Sequence, residues 1–476
     1  MTGPGVLGGR RLTADIAVQL VARVVNLALG VVVTIVVVRT LGQHEYGQWS
    51  TIIAVGELLG YIGDLGLDRV TVRQAAADRE HEPEWLGALV SLRFLLSIPV
   101  TLAFLAIMLV ISSDSTMRVS SLIYAIVALL PPLSCLSIVF QLRVRNDLSM
   151  AILTLNSVLW TGAGLFLAAV SGNMVAFAVA FVAAFVVSVA VQTVLVRRMT
   201  TIRIRASRPL WPELWRVALP VGIAAMLTFA YGRIDQVLVF QISGSDEAGI
   251  YGAMYRILTN AAFVPMAVMT TLFPLLASME RDRIRRMVQT ASEYLAMVSL
   301  PIFVFVLVAS GKVVRVLFGA DFVAGENALR VLMGAFVAIC FGYVAGVMVI
   351  VLGLQKVFMR YALFALVVNV VLNLIFIPKY GYMAAAWITL ATEVIVQILA
   401  IRIVLATLEL RPKLARLARI LLASAAMGLV LWALDAAGAG FVWLVLAAAA
   451  TYPVALLALR ALVPSELGAL LKREAI

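Results

Sequence analysis

Apolar residues run along this chain in blocks of about 20, separated by short connectors rich in glycine or charge. A helix of that length matches the ~30 Å hydrocarbon layer of a bilayer. The pattern predicts about fourteen membrane-spanning helices. Six fall at roughly 13–38, 49–69, 86–111, 119–141, 150–170 and 174–196. Six more fall at roughly 213–240, 250–276, 290–310, 328–352, 358–377 and 383–405, and two at roughly 416–434 and 441–462. The expected fold is an all-α polytopic membrane protein with an N-lobe at 1–196 and a basic cytoplasmic linker at 197–212. A C-lobe at 213–405 follows, then two extra helices and a cytoplasmic tail at 406–476.

The polar breaks are not all alike. Arg39 to Trp49 reads RTLGQHEYGQW, and Gln241 to Tyr251 reads QISGSDEAGIY. Gly42, Glu45, Gly47 and Trp49 align with Gly244, Glu247, Gly249 and Tyr251 at a constant offset of 202 residues. Each stretch lies between two apolar runs, which predicts one helix–turn–helix unit used at the front of both halves.

Composition sharpens the class. Apolar residues make up 63% of the chain and charged residues 13%, with a mean hydropathy of +1.06; soluble domains carry about 45–50% and 25%. The net charge is +12. Most Lys and Arg fall in alternate connectors, which puts both termini on the cytoplasmic side of the inner membrane. A basic face beside anionic membrane lipid accounts for the charge, and nucleic acid is not an expected partner. Residues 197–215 form the longest basic connector, either an amphipathic segment on the inner surface or a solvated loop. The opening residues lack the cleavage pattern of a secretory signal. Cys135 and Cys340 sit in separate apolar runs as packing residues, and His44 and His81 are too far apart in sequence to suggest a metal site. No phosphate-binding loop is present, so no ATPase domain is expected.

Ionisable groups at membrane depth are costly and therefore informative. Asp15, Gln19, Arg23, Asn26 and Gly30 form one stripe on the first span, and Glu57, Tyr61, Asp64 and Asp68 form one on the second. The stripes either line a water-filled cavity or close on each other as an Arg23–Glu57 or Arg23–Asp64 ion pair. Arg256 and Asn260 share a face of the eighth span with Gly252. Arg93 lies early in the third span, within snorkelling reach of the inner surface. Guanidinium groups suit a diphosphate because they offer paired donors and keep their charge. The cavity candidates are Arg23, Asn26, Glu57, Asp64, Arg256 and Asn260.

A second set falls at similar depth near the outer ends of three spans: Asp235, then Asn369 and Asn373, then Thr389 and Glu393. These oxygens and amides either bind a cation, Na⁺ at Asp235, Asn373 and Thr389 or a proton at Asp235 or Glu393, or act as interhelical glue. Prolines 131, 132, 220, 265, 274 and 301 predict kinks that either permit bending or only shape packing.

Three stretches then show a resemblance: Leu41–Trp49 with Gly63–Ala76 (GDLGLDRVTVRQAA), Arg233–Phe240 with Gly249–Ile257 (RIDQVLVF, GIYGAMYRI), and Gly353–Glu393. In this order they resemble the polysaccharide-biosynthesis flippases of the multidrug/oligosaccharidyl-lipid/polysaccharide exporter superfamily, over nearly the whole chain. The resemblance implies two six-helix lobes in a V around a central cavity, with two further helices. It implies export of a polyprenyl-diphosphate-linked oligosaccharide, with glycan polymerase or ligase machinery as partner. It also implies that Arg23 and Arg256 serve the diphosphate, and that Asp235, Asn373 and Thr389 serve a coupling Na⁺. The competing expectations are a cation-coupled exporter of small amphipathic compounds and a membrane glycan ligase or polymerase. The latter is disfavoured because the outer turns are short.

Overall fold

The computed structural model describes residues 7–112, 114–204, 208–277 and 279–462, and their regular secondary structure is entirely helical. The chain divides into two compact units, Met1–Gly249 and Ile250–Ile476. The first holds α1 (Leu7–Asp64), α2 (Leu67–Ala77), α3 (Glu82–Ile111), α4 (Ser115–Leu129), α5 (Pro131–Ser134) and α6 (Ile138–Leu142). It continues through α7 (Asn146–Ala169), α8 (Met174–Arg197), α9 (Trp211–Tyr231) and α10 (Ile234–Ser243) to the start of α11 (Ser245–Ala261). The second unit holds the rest of α11, then α12 (Phe263–Ala277), α13 (Arg281–Phe318), α14 (Glu326–Val351), α15 (Gln355–Leu408), α16 (Leu414–Ala436) and α17 (Phe441–Ala458).

Ten helices among the described residues are long and apolar enough to cross a membrane, or eleven when the bent pair Arg208–Pro220 and Ala225–Ser243 is one span. This differs from the fourteen expected crossings, and the difference is geometric. α1 has 58 residues and α15 has 54. At 1.5 Å per residue each is about 80–90 Å long, far more than one crossing needs. Neither is straight: Gly42 breaks α1 (φ 68°, ψ −175°) and Gly381 breaks α15 (φ 55°, ψ −143°). Gly244, the repeat partner of Gly42, adopts φ 91° and ψ −179° between α10 and α11. That region of backbone space is open essentially only to glycine. The turn signal therefore appears as a single-residue corner rather than a loop, once in each copy.

In the first unit, Trp49 packs with Tyr124, Trp160 and Phe181 at ring separations of 5.6–6.4 Å. The aromatic that follows the first glycine corner is thus a core residue, 2% exposed. Where it is described before α9, the basic connector is largely an exposed non-helical segment that is tethered at one point. Its Arg203 N–H donates to the Pro83 carbonyl at 3.0 Å, and the Arg203 guanidinium lies 3.1 Å from Glu84. Farther on, the Trp211 indole donates to Ser91 at 3.0 Å. In the second unit α16 and α17 dock on α13. Ala296, Met297 and Leu300 meet Ile420, Ala423 and Leu456, and Lys312 pairs with Asp435 at 2.6 Å. Outward faces carry Leu109, Val110, Leu429, Trp432 and Trp443 exposed, as expected where acyl chains rather than water are the solvent.

Candidate functional site

The polar groups of α1 are distributed differently from either expected ion pair. Glu57 pairs with Arg233 at 2.9 Å, and Asp64 pairs with Arg93. Arg23 takes neither carboxylate. Arg93 does not snorkel: its side chain is only 7% exposed and also bonds Asp68 at 2.7 Å. The cause is local. α1 ends at Asp64, and Leu65 and Gly66 both take positive φ before α2 begins, so Asp64 and Asp68 come to flank one guanidinium. The one-turn spacing of the two acids and the single Arg in the next span were the available signals; their partnership was not visible in the sequence. Asp15 and Gln19 lie outside the residues whose side chains are described.

Arg233 is fixed by its surroundings. It stands where α9 ends and α10 begins, and its guanidinium carbon lies 5.9 Å from the Phe229 ring centre. The same ring stacks on Tyr61 at 3.9 Å. Asn26 donates to the Ala22 carbonyl at 2.7 Å and to the Thr154 hydroxyl at 2.8 Å. Arg23 and Arg256 are partly buried, and among the described residues neither guanidinium meets a carboxylate. They are set apart from Arg93 and Arg233, whose charge the protein itself neutralises. Asn260 lies on α11 one turn beyond Arg256, also partly buried.

The candidate cation ligands fall in both units. Asp235 belongs to the first: it is 1% exposed and sits in the first turn of α10, where the helix dipole favours a carboxylate. Its neighbour Gln236 donates to Ser50 at 2.9 Å and to the Ala248 carbonyl at 3.0 Å. The remaining four are in the second unit. Asn369 and Asn373 are fully buried, and the Asn373 amide donates to the Asn369 carbonyl at 2.9 Å and to its side-chain oxygen at 3.0 Å. Thr389 is 3.0 Å from the Tyr251 hydroxyl, and Gln397 donates to Glu393 at 2.9 Å. Tyr251 was visible in the sequence only as the aromatic of the repeat, and its bond to Thr389 is a feature the sequence did not reveal. Among the described residues no three His, Cys, Asp or Glu gather as a metal site.

Outside the spans, Asp114 caps α4. Burial works against its charge, but the Met117 N–H at 2.8 Å, the Gln48 amide at 2.7 Å and nearby His44 hold its carboxyl below the usual range. In the connector before α3, a bond from His81 at 3.0 Å lowers the Asp78 carboxyl and raises the His81 imidazole.

An all-helical apolar chain with ten or eleven helices able to cross a membrane among the described residues, and a glycine corner used twice, defines a multi-pass membrane protein, and the relatives below make it a transporter. The chain belongs to the polysaccharide biosynthesis protein family, which matches residues 12–280. It is similar to a putative O-antigen transporter of Shigella flexneri, 23% identical over 367 residues that cover 73% of this chain and 87% of the relative. Its fold resembles the lipid II flippase MurJ in an inward closed conformation: the TM-score is 0.78 at 13% identity, covering 92% of this chain and 97% of that one. An outward-facing multidrug resistance MATE family transporter of the MOP superfamily matches less well, with a TM-score of 0.56 at 16% identity over 82% and 95% of the two chains.

Proposed function

We propose that this protein is a flippase that moves a polyprenyl-diphosphate-linked oligosaccharide from the inner to the outer leaflet by alternating access. It is a transporter rather than an enzyme. The physical problem is to carry a charged, hydrated head group past hydrocarbon while its isoprenoid tail stays in lipid. The observation that carries the reading is Arg23 together with Arg256: two partly buried guanidiniums on helices, with no carboxylate partner among the described residues. A cation at membrane depth without an internal partner is costly unless an anion arrives to pair with it. A diphosphate matches it in charge and in paired-acceptor geometry. Asn26, Glu57, Asp64 and Asn260 complete the proposed lining. The family and its relatives support the same substrate class, and the weaker match to multidrug transporters disfavours the drug-exporter alternative.

Splitting α1 at Gly42 and α15 at Gly381, and taking α9 with α10 and α11 with α12 as one crossing each, gives fourteen crossings. That number returns both termini to one side, and the Lys and Arg distribution makes that side the cytoplasm of the inner membrane. The domain divisions expected from the sequence belong to this reading. Na⁺ or a proton is the proposed coupling ion, at Asp235 with Asn369, Asn373, Thr389 and Glu393. It biases the cycle only by its difference in affinity for the two states. Glycan polymerase or ligase machinery is the proposed downstream partner.

Depleting the protein and profiling membrane lipids tests the reading: a polyprenyl-diphosphate glycan should accumulate on the inner leaflet. Arg23→Ala and Arg256→Ala should reproduce that accumulation at normal protein levels in the membrane. Normal surface glycan in both variants would remove the diphosphate site from the account.

A further inference from the structure

Two residues of α1 and two facing them form a ladder that the diphosphate site does not use. Glu57 and Tyr61 stand one turn apart on α1, and Phe229 and Arg233 stand four positions apart where α9 gives way to α10. Glu57 meets Arg233 at 2.9 Å, and Tyr61 stacks on Phe229 with ring centres 3.9 Å apart and an interplanar angle of 23°. The Arg233 guanidinium carbon lies 5.9 Å from the centre of the same Phe229 ring. The ion pair on one rung and the stack on the other hold the Tyr61 ring in one orientation. Yet the ladder is not closed packing. Tyr61 is 38% exposed although Phe229 covers one face, and its hydroxyl has no hydrogen-bond partner among the described residues. A Cβ at the neighbouring Gly60 would meet nothing within 4 Å, so the space alongside is open. Glu57 and Asp64, one turn to either side on the same helical face, are 32% and 30% exposed. Acyl chains cannot hydrate a carboxylate, so a face carrying two partly exposed ones borders water.

We propose that Tyr61 is a platform for a pyranose ring of the glycan, with Glu57 and Asp64 accepting hydrogen bonds from the sugar hydroxyls. The proposal rests on the flippase reading above and deepens it by naming residues that hold a sugar rather than the diphosphate. A pyranose presents C–H bonds on its faces and hydroxyls around its rim. The C–H bonds carry weak positive charge and pack on an aromatic face, whose quadrupole is negative. Hydroxyls at the rim donate to carboxylate oxygens beside the ring, and bonds to a charged acceptor are the stronger kind. A fixed aromatic surface with a few placed polar groups is the usual make-up of a small-molecule site. The charges select a neutral sugar, a hexose or an N-acetylhexosamine. Arg233 stands beside Glu57 and Arg93 beside Asp64, so each acid on this face already has a guanidinium. Neither a uronic acid nor an organic cation finds an unpaired counter-charge on the ladder.

The test is binding to the purified full-length protein in nanodiscs. Two probes are compared: a polyprenyl diphosphate without sugar, and the same lipid carrying one N-acetylglucosamine. The parent should bind the sugar-bearing probe about five-fold tighter, the advantage expected of one stacked face. Tyr61→Leu should remove that advantage while still binding the bare probe, which also shows that the variant is folded. Tyr61→Phe and Tyr61→Trp keep an aromatic face and should retain the advantage. Equal affinity of the parent for both probes overturns the platform and leaves the flippase reading standing. An advantage that survives in Tyr61→Leu, or an equal loss for both probes in that variant, does the same. Failure of the parent to bind either probe removes the flippase reading and the platform with it. Tetraphenylphosphonium bound by the parent and lost in Tyr61→Leu would assign the ring to organic cations and would also overturn the proposal.

Discussion

Arg93→Leu isolates a single charge balance on which the end of α1 depends. The Arg93 side chain is 7% exposed and bonds both Asp64 and Asp68, which are 30% and 34% exposed. Leucine keeps much of the apolar stem but leaves two carboxylates, one turn apart, with nothing to neutralise them. Removing one partner of a fully buried ion pair costs about 3–5 kcal/mol. Both acids here retain about a third of their surface, so hydration returns part of that, and about 2 kcal/mol is the expected loss. At about 2–4 °C per kcal/mol for a unit of this size, the melting temperature should fall by about 4–8 °C. The assay is thermal unfolding of the purified protein in detergent. Adding Asp64→Asn and Asp68→Asn to the leucine variant should recover most of the loss, because two amides have no mutual repulsion. Arg93→Lys should lie between, keeping the charge without the forked donor geometry. A leucine variant as stable as the parent, or a triple variant no better than the single one, would refute the argument.

Gly42→Ala and Gly244→Ala each force a Cβ into a glycine-only conformation, and each should cost about 1–3 kcal/mol of unfolding free energy. The measurement is the same melting assay, and equal stability in both variants would mean that the corners relax freely. The Asp78–His81 pair gives a pH signature outside the membrane. The Asp78 bond raises His81, so His81's share of stabilisation is complete below the imidazole's ordinary value and is lost as pH rises through the raised one. His81 lowers Asp78, whose share is complete above the ordinary carboxylate value and is lost as pH falls through the lowered one. A histidine NMR titration should therefore place the His81 midpoint above 6.5 and bring it down in Asp78→Asn. An unchanged midpoint in that variant would show that the contact is not populated.

Much of the fold was legible because lipid leaves the backbone few options. Runs of about 20 apolar residues had to be helices, and the offset between Gly42 and Gly244 had to mark two copies of one unit. The breaks at Gly42 and Gly381 fall between expected spans, but their form was not legible: each is a single glycine with non-helical dihedrals inside one long helix rather than a loop of several residues. The basic connector kept its two alternatives open in the sequence for a related reason. Its composition suits a surface segment, but Arg203 is held by the Pro83 carbonyl and Glu84, and neither contact leaves a pattern in the connector's own residues.

The charged residues show where one-dimensional reading stops. Helical periodicity places Glu57, Tyr61, Asp64 and Asp68 on one face, but α1 ends at Asp64 and Asp68 lies on α2 beyond the Leu65–Gly66 break, and periodicity says nothing about which cation each acid meets. Proximity along the chain suggested Arg23, whereas the structure supplies Arg233 to Glu57 and Arg93 to Asp64. Those pairings change what the remaining arginines mean. The sequence already set Arg93 apart as within reach of the inner surface; the structure makes both Arg93 and Arg233 partners of acids on α1 and α2, whereas Arg23 and Arg256 meet no carboxylate among the described residues. The case for a diphosphate guest therefore rests less on how many positive residues the spans contain than on which of them the protein has already paired.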